Sequence, residues 1–356
     1  MITSKNKLSA NNMMASNLHK LDDVILLLNP NSQGGNTGKN WIETYNKVKD
    51  FLPKAHRIIF TKRTNDGISI TRQLLRKGYK NIVAVGGDGT INEVANGFFN
   101  IKSQCIDYGK FKLDSRLKPI NPKGIMYVIP SGSRNVLARS LELKHQGAES
   151  LMRIRHMKRR KIDVIAATIT DKETPSLTHN RIVLNAAEIG VGAEIIDRSK
   201  KVRGKVKNRF VSTMTSIIAT VPSYISNECY IVMDKHRKIS SKMTMGIVAN
   251  GRFLGGGFKA ASRAKFSDGL LDLIILKNSG SFKMIDKLVE LKGTSTYKYE
   301  EDILYYQASE VKFVPKERDV TITVSVDGEP IGILPAIFKI YHNALTIKSE
   351  APSARI

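Results

Sequence analysis

Three apolar runs in the first 140 residues each end in a small-residue loop, and each is followed by a helical pattern. The runs are DVILLLNP (23–30), NIVAVGG (81–87) and GIMYVIPSGS (124–133). The loops they enter carry NSQGGNTGKN (31–40), GGDGT (86–90) and PSGSRN (130–135). A continuous apolar run needs cover on both faces, which is the condition of a central strand in a parallel sheet. Parallel strands need crossover connections rather than tight turns, and the helical stretches from Trp41 to about Phe51, at 65–78, at 91–99 and from Asn135 supply them. AHRIIFT (55–61) adds a further strand. Residues 21–158 therefore read as a three-layer α/β/α domain whose glycine loops gather on the carboxyl edge of one sheet, where ligands of such folds bind.

The pattern changes near residue 160. From Lys161 the strands follow one another with fewer helices: KIDVIAATI, IVLNAAEIG, CYIVMD, MTMGIVANG, LLDLIILK, VKFVP, VTITVSVDGEP and AIFKIYH. That spacing predicts a largely antiparallel β-sandwich domain over 159–345, interrupted by helices at about 198–220 and 281–291. At 356 residues the chain can bury two such cores. Residues 1–20 read as a polar extension and 346–356 as a tail.

Charge restricts the partner. Lys and Arg number 57 against 32 acids, a net charge of +25, which favours an anionic ligand or an acidic membrane surface. Nucleic acid is disfavoured, because aromatics are only 7 % of the chain and are not interleaved with the basic runs. Two cysteines, Cys105 and Cys229, make no disulfide framework and point to a reducing, cytoplasmic compartment. The segment FVSTMTSIIATVPSYI (210–225) is too short and too hydroxyl-rich to span a bilayer, and the N-terminus lacks a signal-peptide core.

The loop at 86–90 combines glycines with a carboxylate. Glycines remove the Cβ atoms that would hold a polyphosphate away, and a helix N-terminus favours an anion. A carboxylate there repels phosphate unless a cation lies between them or it takes a proton from an attacking hydroxyl, so Asp88 implies Mg²⁺ handling or base chemistry. The plainer alternative is a turn with Asp88 capping its helix. Neither the G-x-x-x-x-G-K-[ST] pattern nor a G-x-G-x-x-G after the first strand is present. VDGEP (326–330) reads as a hairpin turn, a functional loop, or both. Asp268 and Asp272, flanking a glycine turn in FSDGLLDL, have a spacing able to hold a hard cation.

NPNSQGG (29–35), VGGDGTINEVANG (85–97), IPSGSRNVLARSL (129–141), NGRFLGGGFKAASRAKFSDGLLDL (250–273) and VDGEP occur in the order seen in the diacylglycerol kinase catalytic-domain family. The chain resembles that family, which includes bacterial lipid kinases, sphingosine kinases and ceramide kinases, over about 21–345. The resemblance implies transfer of the γ-phosphoryl group of ATP, with Mg²⁺, to a lipid hydroxyl in a cleft between the two domains. It further implies peripheral association with an acidic membrane; a homodimer is left open. Asn29, Gly86, Gly87, Gly89, Thr90, Ser131, Gly132 and Ser133 resemble nucleotide-contacting positions. Asp88 and Asp327 match aspartates assigned as base or Mg²⁺ contact, with Glu329 beside the second on the nucleotide side. Glu194 and Asp197 fall in the acceptor segment, and Arg203 and Arg209 where sphingosine kinases place phosphate-binding arginines. Asp268 and Asp272 fall where bacterial members hold a structural Mg²⁺.

The chain departs from many bacterial relatives at 130–138. Ser133 keeps the hydroxyl of a usual Thr, Arg134 replaces a frequent Gly, and Val136 replaces an Asp, so a metal network built on that acid is in doubt. An NAD kinase-like phosphotransferase, from GGDGT alone, and an inactive basic membrane- or anion-binding member are the alternatives.

Overall fold

The computed structural model describes residues 23–350 apart from 102, 108–109, 114–115, 203–214, 218, 255–257 and 279–301. β1 (Val24–Leu28), entirely buried, pairs in parallel with β2 (His56–Phe60) and β3 (Asn81–Gly86). A small hairpin, β4 (Ser103–Asp107) and β5 (Lys110–Leu113), precedes β6 (Ile125–Pro130), which pairs in parallel with β3. The sheet order is β2-β1-β3-β6. Between and after these strands run α1 (Asn36–Lys39), α2 (Trp41–Val48), α3 (Asp66–Arg76), α4 (Asp88–Gly97), α5 (Val136–Ser140) and α6 (Gly147–Met152).

The strand period of two divides the core. Ile25, Leu27, Ile82, Ala84, Met126 and Val128 face Ile91, Val94 and Phe98 of α4. Val24, Leu26, Leu28, Val83, Val85 and Ile129 face Trp41 and Val48 of α2 and Leu151 of α6. Each such aliphatic side chain contributes about 1.5–3 kcal/mol by leaving water.

The second domain is antiparallel, with β7 (Lys158–Thr170), β8 (Thr178–Val183), β9 (Ala186–Gly190), α7 (Val191–Val202), β10 (Asn227–Met233) and β11 (Arg237–Ala249). β12 (Leu271–Lys277), β13 (Ile303–Ala308), β14 (Glu310–Pro315), β15 (Thr323–Val326) and β16 (Glu329–Ser349) complete it. Ile165, Val183, Ile231, Val248, Phe313 and Phe338 are among the buried residues of its sandwich core. No described helix is long and apolar enough to cross a membrane.

Several elements differ from expectation. β4, β5 and β13 were not anticipated. Residues 346–349, expected to begin a tail, are the end of β16: Ile347 is fully buried and pairs in parallel with Met126 of β6. One strand thus belongs to both sheets and fixes the domains edge to edge. The helix expected at about 198–220 begins instead at Val191; its 203–214 part and the helix expected at 281–291 lie outside the described residues.

Candidate active site

The carboxyl ends of β1, β3 and β6 and the β15–β16 turn enclose a cleft of about 440 Å³. Of the anticipated residues, Asn29, Gly87, Asp88, Gly89, Thr90, Gly132, Ser133, Asp327 and Glu329 line it; Arg134 and Val136 line it as well. Gly87 is the N-cap of α4 and provides no side-chain cap, so N–H groups of the first turn are left for a ligand.

Gly86 and Ser131 are not part of this lining. They stand behind it, the Ser131 N–H donating to the Gly86 carbonyl at 2.7 Å. The glycines have different reasons. A Cβ on Gly86 would meet the Thr90 Cβ at 2.6 Å, and one on Gly132 would meet the Gly87 Cα at 2.4 Å. These two glycines let backbone and helix close on one another. Gly34 and Gly35 instead supply positive φ, +70° and +92°, with open space around them. Gly132→Ala is expected to push the 87 and 132 loops apart, costing about 1–3 kcal/mol. Thermal unfolding checks this; an unchanged midpoint would contradict it.

Asp88 opens α4, and its Oδ1 accepts the Leu137 N–H at 3.1 Å. It therefore caps α5 across the cleft rather than its own helix. Its Oδ2 accepts no hydrogen bond among the described residues and the side chain lines the cleft. Glu329 is exposed, its Oε1 3.4 Å from where a Gly89 Cβ would lie. Two carboxylates, Asp88 and Glu329, are thereby presented to the same space.

Asp327 is held differently. With φ +47° at Asp327 and +82° at Gly328, VDGE makes the positive-φ hairpin turn that its Asp-Gly pair favours. The carboxylate accepts N–H groups of Leu184, Asn185 and Ala186 at 2.9, 2.9 and 3.0 Å, and the Asn92 amide at 2.6 Å. An ionised carboxylate offers about four acceptor positions, and all are taken. The same bonds explain why IVLNAAEIG is two strands, β8 and β9, rather than one: at Leu184 and Asn185 the backbone donors turn to Asp327. Burial pushes the Asp327 carboxyl up to about 6, the four donors offsetting only part of that cost. Asn92 also donates to the Ile182 carbonyl, and Asn96, one turn on, receives the Ile182 N–H at 2.7 Å. One face of α4 is thus bolted to the second domain.

A second cavity, about 750 Å³, lies beyond the β15–β16 turn against α7. It takes in both anticipated acceptor residues. Glu194 is half-buried, and burial raises its carboxyl; Asp197 pairs with Lys201 at 2.7 Å. Arg203 and Arg209 lie outside the described residues. Asp268 is exposed and accepts the Leu270 N–H, whereas Asp272 is fully buried, with Tyr305 and Gln307 as donors. Among the described residues no third His, Cys, Asp or Glu joins these two to make a metal-ligand group.

Glu188, on β9, was missed by sequence reasoning. Only 8 % of it is exposed, and burial pushes its carboxyl up to about 7, offset in part by the charge of Arg134. The available signal was a lone acid inside the apolar run IVLNAAEIG.

The diacylglycerol kinase catalytic domain matches residues 23–167, and the YegS C-terminal NAD kinase beta sandwich-like domain matches 185–349. The chain is 23 % identical over 280 residues to a diacylglycerol kinase of Bacillus subtilis, covering 78 % of this chain and 80 % of the relative. It is 25 % identical over 289 residues to a diacylglycerol kinase of Staphylococcus aureus, covering 78 % and 77 %. The crystal structure of a diacylglycerol kinase from Bacillus anthracis superposes with a TM-score of 0.62 over 92 % of this chain and 97 % of that one, at 18 % identity. That likeness shows a shared fold.

Proposed function

The chain belongs to the diacylglycerol kinase catalytic-domain family, and on that premise we propose that it is an ATP-dependent kinase that phosphorylates the hydroxyl of a diacylglycerol-like or sphingoid-like lipid. The observation that carries this reading is the cleft itself, where the open N-terminus of α4 and two carboxylates meet, next to a second cavity on the far side of one hairpin. Phosphoryl transfer asks a protein mainly for positioning and charge stabilisation. The first-turn N–H groups of α4 and the 132–134 loop bind the phosphates, and Arg134, which lines the same cleft, adds a cation.

Asp88 and Glu329 are the residues that would hold Mg²⁺, being hard oxygen donors presented to one space. When bound, the ion neutralises charge on the transferring group. Asp327 positions: it ties the hairpin to α4 and to the β8–β9 corner, so both walls of the cleft keep their spacing. Glu194 and Asp197 accept hydrogen bonds from the polar end of the acceptor. The net charge of +25 draws the protein to an acidic membrane surface on the cytoplasmic side, where such an acceptor resides.

The test is Asp88→Asn, which keeps an oxygen for the Leu137 N–H while removing the charge. Transfer of phosphate from Mg·ATP to lipid is expected to fall by about 10²–10³-fold with the thermal midpoint little changed. A folded Asp88→Asn protein with wild-type turnover would count against the assignment.

A further inference from the structure

Arg134 reaches across the cleft. Its backbone belongs to the loop that follows β6 in the first domain, and its Nη1 comes to 3.8 Å from where a Gly328 Cβ would lie, on the β15–β16 turn of the second. That turn is the partition between the two cavities. Asp327, Gly328 and Glu329 line the cleft, whereas Pro330, Ile331 and Gly332 line the second cavity. The guanidinium therefore lies on the wall of the cleft nearest the second cavity. The near end of the same loop, Gly132, packs against Gly87, the N-cap of α4. The loop thus runs from the helix end that faces the phosphates to the partition.

The loop is built to hold that position. Asn135 takes a left-handed φ of +48° and braces the loop from inside. Its Oδ1 accepts the Gly132 N–H at 2.9 Å, and its Nδ2 donates to the Gly132 carbonyl at 3.0 Å and to the Gln146 Oε1 at 2.7 Å. Asn135 is buried and Arg134, next to it, is half-buried. A side chain on a braced loop gives up less freedom when it grips a ligand. Among the described residues that line the cleft, Arg134 is the one basic side chain, set against the carboxylates of Asp88, Asp327 and Glu329. Its charge is also felt by the buried Glu188 carboxylate on β9.

We propose that Arg134 grips the terminal phosphate of the nucleotide, so that the cleft distinguishes a nucleoside triphosphate from its diphosphate. The inference rests on the kinase reading above. A phosphoryl group in transfer lies between the helix end that binds the nucleotide's phosphates and the cavity that receives the acceptor, and Arg134 is the side-chain cation in that interval. A terminal phosphate presents more non-bridging oxygens than an internal one, and a planar guanidinium takes two of them at once. The carboxylates on the walls repel that phosphate, and the guanidinium offsets the repulsion where it is needed. A diphosphate ends short of Arg134 and loses little when the side chain is changed. The same contact favours departure of the diphosphate product.

The test is calorimetric titration of wild type, Arg134→Gln and Arg134→Lys with Mg·ADP and with the non-hydrolysable Mg·AMPPNP, in the absence of lipid, with thermal midpoints measured alongside. Wild type is expected to bind AMPPNP more tightly than ADP. Arg134→Gln is expected to lose about 10–100-fold in AMPPNP affinity, as for a hydrogen bond to a charged group, and to hold ADP within about twofold of wild type. Arg134→Lys keeps the charge but not the fork, and its AMPPNP affinity is expected to lie between those of wild type and Arg134→Gln. A merely structural role would move both nucleotides together. Should Arg134→Gln unfold, the same difference between nucleotides is read from Arg134→Lys. Equal losses for the two nucleotides, or no loss for either, overturn this proposal alone. Wild type is assayed separately with γ-labelled Mg·ATP and either dioctanoylglycerol or sphingosine in mixed micelles. The expected discrimination with neither lipid labelled overturns the lipid-kinase reading and leaves this contact standing, and a wild type that binds neither nucleotide overturns both.

Discussion

Asp327→Ala is expected to lower the stability of the protein by about 3 kcal/mol or more, since each buried donor stranded by the loss of its acceptor costs about 1–3 kcal/mol. The change strips the acceptor from three successive backbone N–H groups, those of Leu184, Asn185 and Ala186, and from the Asn92 amide. The backbones of Leu184, Asn185 and Ala186 belong to buried residues, so these donors are left with much of their desolvation cost. The loss also frees the corner between β8 and β9 from the hairpin that lines the cleft, so activity falls with stability. Asp327→Asn is the milder variant, because its amide keeps one acceptor oxygen while turning N–H groups toward the other donors. Urea unfolding of the three proteins reads the order wild type, Asn, Ala. Equal midpoints for wild type and Ala would show that the corner is held by other contacts.

Glu188→Gln is expected to have the opposite sign. The folded-state carboxyl is raised to about 7 from 4.5 by burial, with Arg134 opposing. Between those two values the folded protein holds a proton that the unfolded chain gives up, so stability falls as pH rises through this window. At about 1.36 kcal/mol per unit, the loss is roughly 3 kcal/mol once pH exceeds 7. Glutamine has the same shape and no charge to bury. The variant is therefore expected to be more stable than wild type by up to about 3 kcal/mol at pH 8 and nearly equal to it at about pH 4.5. Unfolding curves at the two pH values check this, and a variant less stable than wild type at pH 8 would contradict it.

The N-terminal domain was legible because its chemistry is local. β1, β3 and β6 are central strands, so their apolar runs are continuous, and the small-residue loops that end them are where the cleft forms. The reason for each glycine was not legible. Gly132 is required by Gly87, more than forty residues away, and only their contact separates it from Gly34 and Gly35, whose role is positive φ. The role of Asp327 was hidden for the same reason. Its hairpin could be read from Asp-Gly, but its hydrogen-bond donors lie 141 to 143 residues earlier, apart from Asn92, which is farther still. That network also broke IVLNAAEIG into two strands against its own apolar pattern. β16 outran its expected end because Ile347 finds its cover in the other domain's sheet, a partner that strand propensity does not reveal. Glu194 and Asp197 line one cavity, and Gly86 and Ser131 support the cleft from behind.

The most direct test of the account is to incubate the wild-type protein with Mg²⁺ and γ-labelled ATP, presenting diacylglycerol, sphingosine and NAD in separate reactions. The account predicts label that extracts into organic solvent on a lipid alcohol, with NAD unlabelled. Label on NAD, or ATP bound with no lipid labelled, would contradict it.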